Sequence, residues 1–230
     1  MAKIKKEGVL LVISSPSGTG KTTICKKLLE YDKNIHLSVS VTTRKKRKNE
    51  VEGIDYYFRS KKDFLNLKSQ NSFIENALVF ENYYGTLKSE VLEQLENGID
   101  VLIDIDWQGT RQITQAMKGN LIKIFLLPPS IDELKKRLSK RNSDSIKEIN
   151  FRMSKALKEI KHYDEYDYVL VNDNLDNTFQ QIVKILETER LKLSKTILII
   201  IAFQIRYNAM TVRVFIEDDV SSCCSASPAK

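Results

Sequence analysis

The run Val9–Ile13 leads through Ser14 into Ser15-Pro-Ser-Gly-Thr-Gly-Lys-Thr22, which opens an amphipathic stretch reaching Tyr31. A strand, a glycine turn and a helix in that order constrain this chain more than anything else in it. Gly18 and Gly20 let successive backbone N–H groups turn inward, forming an anion nest at a helix N-terminus. The phosphate-loop pattern G-x-x-x-x-G-K-S/T is met at every position but the first, where Ser15 stands. The candidate phosphate site is therefore Ser15, Pro16, Ser17, Gly18, Thr19, Gly20, Lys21 and Thr22. Lys21 would reach the β and γ phosphates, and the Thr22 hydroxyl would ligate Mg²⁺. The pattern points to nucleotide binding and leaves open what is done with the nucleotide.

The organisation around this loop agrees with it. Apolar runs at Gly8–Ser14, Leu37–Val41, Val101–Ile105, Leu121–Leu127 and Tyr168–Val171 read as core strands. Helical patterns at Thr22–Tyr31, Ser89–Asn97, Gly109–Met117, Ile131–Lys140, Ile146–Tyr163 and Leu175–Leu193 separate them. The alternation gives an α/β fold, a P-loop NTPase-like parallel sheet flanked by helices. The segment 42–84 is different: rich in aromatics and charge, it reads as a small mixed insert without a second strand–helix–strand unit. The core is expected at 1–41 and 85–195.

Two further groups belong with a phosphate loop. Asp104 and Asp106 end a buried strand and, by alternation, share one side of it; so close, they call for a cation or donor between them. Arg137 and Arg141 share a helix face, and Arg152 follows on the next helix after a polar turn at Asn142–Ser145. Arginines on such a helical lid, about 131–155, suit a migrating phosphoryl group.

Composition narrows the partners less. The net charge of +7 and pI near 9.1 call for an anion without naming it. The basic run Arg44–Lys48 fits a solvated loop, nucleic acid or a small phosphate. Three cysteines make no disulfide framework, so Cys25 reads as a buried filler in a reducing compartment. The longest apolar run, Ile197–Phe203, is far short of the roughly 20 residues of a membrane span. No signal peptide is recognised, and the expected location is cytoplasmic. His36 and His162 read as structural or surface residues, and Trp107 as packing. The stretch 196–230 matches nothing before it and reads as an appended tail.

Taken together, the motifs resemble the guanylate kinase family. Beside the phosphate loop stand Ser38-Val-Ser-Val-Thr-Thr-Arg44, Glu50-Val-Glu-Gly-Ile-Asp-Tyr56, Phe73-Ile-Glu75, Asn82-Tyr-Tyr-Gly-Thr86, Asp104-Ile-Asp-Trp-Gln-Gly109, Leu127-Pro-Pro-Ser130 and Val171-Asn-Asp173, in family order from Gly8 to Leu193. The resemblance implies a core, a GMP-binding insert and an arginine-bearing lid. It implies transfer of phosphate from ATP to GMP (and dGMP) with Mg²⁺, by a monomer or homodimer with no nucleic-acid or membrane partner. Ser40 and Glu75 would contact guanine. Arg44, Arg47, Tyr56 and Tyr84 would hold the GMP phosphate, with Thr86, Asp104 and Asp106 completing the acceptor site. Lys21, Arg47, Arg141 and Arg152 are the implied catalytic residues. Arg137 would join them on the transferred phosphoryl group and in the ATP site, and Asn172 would lie near adenine. The chain departs from the pattern at Ser15, at Lys46 and Asn49, where the family has proline and glycine, and from Thr196 onward.

Three other readings compete. A non-catalytic module of the same fold would lack the loop lysine or the lid arginines, which are present. A nucleic-acid-binding ATPase would use the basic run on a backbone, but Glu75 and the acidic pair sit badly with a polyanion groove. A kinase for another nucleotide differs only in base choice.

Overall fold

The structure is a computed structural model that describes residues 7–79, 81–117, 119–139 and 146–192. Arg141, the polar turn at Asn142–Ser145 and the tail from Thr196 lie outside the described residues. Lys5–Arg190 pack as one compact unit.

Strand β1 (Leu10–Ser14) is buried at every position and lies at the centre of a five-stranded parallel sheet. On one side it pairs with β7 (Asp100–Asp104), which pairs with β2 (Ile35–Leu37). On the other it pairs with β8 (Leu121–Leu127), which pairs with β9 (Tyr168–Val171). Parallel strands covered on both faces are apolar throughout rather than alternating, which is why these runs read clearly. The two faces still separate by parity. Leu11 and Ile13 join Ile24 and Leu28 of α1 (Lys21–Tyr31) and Phe179 and Ile182 of α7 (Leu175–Arg190). Leu10 and Val12 join Val91 of α3 (Lys88–Glu96) and Ile113 of α4 (Trp107–Ala116). Cys25 is a buried free thiol whose pKa burial pushes up to about 12, so it packs rather than reacts.

The second sheet has the order β4-β3-β6-β5, from β3 (Val41–Thr42), β4 (Tyr57–Phe58), β5 (Phe73–Val79) and β6 (Asn82–Leu87). Two expectations are corrected here. The predicted strand Leu37–Val41 is two: Ser38 still donates to Leu102 O, but the Ser40 carbonyl already accepts from Tyr57 N, so the chain crosses between sheets at Ser38–Ser40. The insert also contains a strand–helix–strand passage, β4, α2 (Lys61–Ser69) and β5. Ser60 caps α2, accepting from Asp63 N at 3.1 Å and donating to Asp63 Oδ2 at 2.6 Å. The passage was hard to see because β4 has only two residues and α2 buries only Phe64.

The arginine-bearing segment contributes α5 (Ile131–Ser139) and α6 (Ile146–Ile160), with Leu134, Leu138 and Ala156 buried between them. A 3-10 turn at Tyr163–Glu165 follows.

Candidate functional site

The phosphate loop leaves β1 at the point where its neighbours diverge to either side, the place where open α/β sheets bind ligands. Gly20 begins α1 with φ +102°, and an added Cβ would meet Asn172 Nδ2 at 2.7 Å. Only glycine fits there.

Two clefts flank the loop. One, of about 340 Å³, is lined by Gly18–Gly20, Arg137, Asn172, Asp173 and Leu175. Asn172 is buried and donates from Nδ2 to Thr19 O at 2.6 Å, while its Oδ1 has no hydrogen-bond partner among the described residues. Arg137 donates to the Asn172 carbonyl at 3.2 Å and to Glu133 at 3.1 Å. The other cleft, of about 320 Å³, is lined by Ser15–Gly18, Gly20–Thr23, Asp104, Asp106 and Glu159.

Lys21 reaches across the second cleft to an ion pair with Asp104 and donates to Ile105 O at 3.3 Å. Burial alone would lower the pKa of its ammonium, but Asp104, by charge and hydrogen bond, raises it instead. Asp106 is not a strand residue as expected. The strand ends at Asp104, and Asp106 caps α4, accepting from Gln108 N and Gly109 N, both at 3.0 Å. Backbone donors therefore satisfy one carboxylate and Lys21 the other, which settles the like-charge problem posed by their spacing.

The insert supplies a buried carboxylate. The pairing of β5 with β6 shifts register between Phe73 and Glu75, so that Glu75 faces Thr86. Such a bulge re-aims a side chain. Phe73 thus packs in the insert core and Ile74 in the main core. Glu75, 5% exposed, receives the Thr86 hydroxyl at 2.6 Å. Desolvation raises its pKa to about 7, with Asp106 adding to the rise and the Thr86 hydrogen bond opposing it. Gly109 permits this arrangement, since a Cβ there would strike Ile105 and come within 3.3 Å of Glu75 Oε2.

The basic run folds back on one carboxylate. Arg44 makes a two-pronged contact with Glu50 at 2.7 and 3.0 Å, and Glu50 also accepts from Arg47 N at 2.8 Å. These partners, Arg44 first, lower the Glu50 pKa, and Glu50 in turn raises that of Arg44. The Arg44 guanidinium lies 5.3 Å from the Tyr56 ring, which meets Tyr84 edge-on at 6.0 Å. The Arg47 side chain is exposed, and Ser40 is half-buried beside β3.

The structure thus gathers Lys21, Thr22, Asp104 and Asp106 at one cleft and Arg137 with Asn172 at the other. Arg44, Tyr56 and Tyr84 form one group in the insert, and Glu75 with Thr86 another. Arg152 lies half-buried on α6. Glu159 escaped the sequence reading, although it lies seven residues from Arg152 and so on the same helix face, which was the available signal.

Comparison with known proteins agrees with this geometry. The family model described as guanylate kinase matches residues 7–189. A guanylate kinase of Wolbachia sp. subsp. Brugia malayi is 50% identical over 191 residues, 83% of this chain and 98% of its own length. One of Rickettsia prowazekii is 49% identical over 190 residues, 83% of this chain and 96% of its own. The crystal structure of guanylate kinase from Anaplasma phagocytophilum superposes with a TM-score of 0.67 at 40% identity, over 82% of this chain and 89% of that one. A glycine-rich loop with its lysine in a cleft, a carboxylate buried beside Thr86, and likeness in sequence and in fold over nearly the whole length of these relatives lead to one conclusion: the chain belongs to the guanylate kinase family.

Proposed function

We propose that this chain transfers the γ-phosphoryl group of ATP to GMP, giving ADP and GDP, and accepts dGMP as well. One observation carries the reading: Glu75, buried on its bulge, adjoins Gly109, whose N–H is held by Asp106, a residue lining the cleft that contains Lys21. A carboxylate there can accept the N1–H and N2–H of guanine together. Adenine offers an acceptor at N1 and would leave a buried charge unpaired. Ser40 supplies a second guanine contact. Arg44, Arg47, Tyr56 and Tyr84 hold the GMP phosphate, and Thr86 fixes Glu75.

Transfer is in line, without a covalent intermediate, and rests on position and charge. Lys21 exchanges Asp104 for phosphate oxygens and balances the charge that spreads over them in the transition state. Arg137, Arg141 and Arg152 act on the same group, and Asn172 Oδ1 offers an acceptor to the exocyclic amine of adenine. The donor set fits Mg²⁺: Thr22 contributes one hydroxyl, and no cluster of three metal-ligating side chains exists among the described residues, as suits an ion held mostly by phosphate and water. Bound there, it would neutralise charge between the β and γ phosphates.

No described helix is long and apolar enough to cross a membrane, and the cysteine usage suits the cytoplasm. An assay of ADP release with GMP, AMP, CMP and UMP in turn tests the proposal. Turnover with GMP far above the others is expected, and equal rates with AMP would overturn it.

A further inference from the structure

Helix α6 carries opposite charges on one face. Arg152 and Glu159 are seven residues, or two turns, apart, and Ala156 between them is buried against α5. Among the described residues, Glu159 is the one on α6 that lines the 320 Å³ cleft with the phosphate loop. A carboxylate facing an anion nest needs a reason. It does not serve as a base for GMP, whose phosphate oxygens are already deprotonated. Burial and the like charge of Asp106 raise its pKa, whereas Lys21 and the Ser17 backbone N–H of the phosphate loop, and Lys155 on its own helix, favour its charged form.

We propose that Glu159 is an internal anion of the phosphate loop, competing with the phosphates of a bound nucleotide and so setting how readily the product leaves. The loop's backbone N–H groups and the start of α1 attract any negative group within reach. A nucleotide phosphate must displace the carboxylate, and the carboxylate is at hand to replace it when ADP departs. If Glu159 holds the loop nine-tenths of the time, apparent affinity falls about tenfold. The inference rests on the proposal that nucleotide phosphates bind this loop.

The test is calorimetric binding of ADP, and separately of inorganic tripolyphosphate, to the full chain and to Glu159→Gln and Glu159→Ala. Both variants should bind both probes about tenfold more tightly, with GMP affinity unchanged and slower turnover if product release limits the rate. The alanine variant covers the case in which the glutamine variant does not fold. Unchanged or weaker binding by the variants, with the parent binding both probes, would overturn the role of Glu159 alone. A parent that bound neither probe would overturn the reading of the loop itself, and this inference with it.

Discussion

The two sheets hold their ligand-facing groups by different means. In the core sheet, a fully buried β1 delivers a loop whose proposed binding groups are mostly backbone N–H, and α1 starts beyond it at a glycine. Among the described residues, the buried core of the insert is Val41, Phe64 and Phe73, with Phe64 stacked on Phe73 at 4.5 Å and on Tyr83 at 5.2 Å. Its shape depends on side-chain carboxylates: Glu50 ties down the basic run, and Glu52 accepts from Phe58 N and Arg59. The proposed recognition by backbone would tolerate Ser15 where glycine is usual, because no side chain is needed there. The proposed recognition by one buried carboxylate would depend on a bulge, a glycine and a threonine all being in place.

The comparison fails if the two regions do not break separately. The largest effect is expected at Glu75. The parent should prefer GMP to AMP by about 10⁴ in kcat/KM, and Glu75→Gln should remove most of that preference while ADP binding, measured calorimetrically, stays the same. Lys21→Ala should lower kcat by about 10³ and leave the KM for GMP within a few-fold, because its charge matters most in the transition state. Thr86→Val takes away the donor to Glu75 Oε1 and should lower kcat/KM for GMP by about ten- to a hundredfold.

A pH series sharpens the same contrast. Glu75 must be ionised to accept from guanine, so kcat/KM for GMP should fall about tenfold per unit as pH drops below about 7. Stability runs the other way. A carboxyl raised from 4.5 to about 7 contributes stability fully present below pH 4.5 and lost as pH rises through 7, about 3 kcal/mol in all. At pH 8, Glu75→Gln should therefore unfold at higher denaturant than the parent. An equal midpoint would show that Glu75 is better solvated than its burial implies.

The smallest effect is expected beyond the family match, which ends at residue 189. A chain ending at Lys195 should keep its melting temperature and its turnover. A melting temperature lower by several degrees would make the tail part of the fold.

Much of this was legible in the sequence because the core strands are continuously apolar and the phosphate loop has a fixed spacing. The insert was less so. Its two-residue strands leave no periodicity, and the bulge that seats Glu75 depends on pairing with β6, a partner that local pattern does not reveal. Alternation alone puts Asp106 on the strand, because it cannot show where a strand ends and a helix cap begins. Nothing local marks Glu159, because an acidic residue on a charged helix is ordinarily a solvated one.

Trp107 is the chain's single tryptophan. Its ring lies flat on His162, with centroids 3.7 Å apart and planes 14° apart, while Arg111 sits over it and is clamped by Glu165. The stack joins the first residue of α4, next to Asp106, to the segment just after α6. Indole emission depends strongly on a ring in direct contact, so any parting of those two elements changes the colour and yield of the protein's own fluorescence. The molecule thus carries an optical gauge at the root of its arginine-bearing helix, readable during turnover without a label.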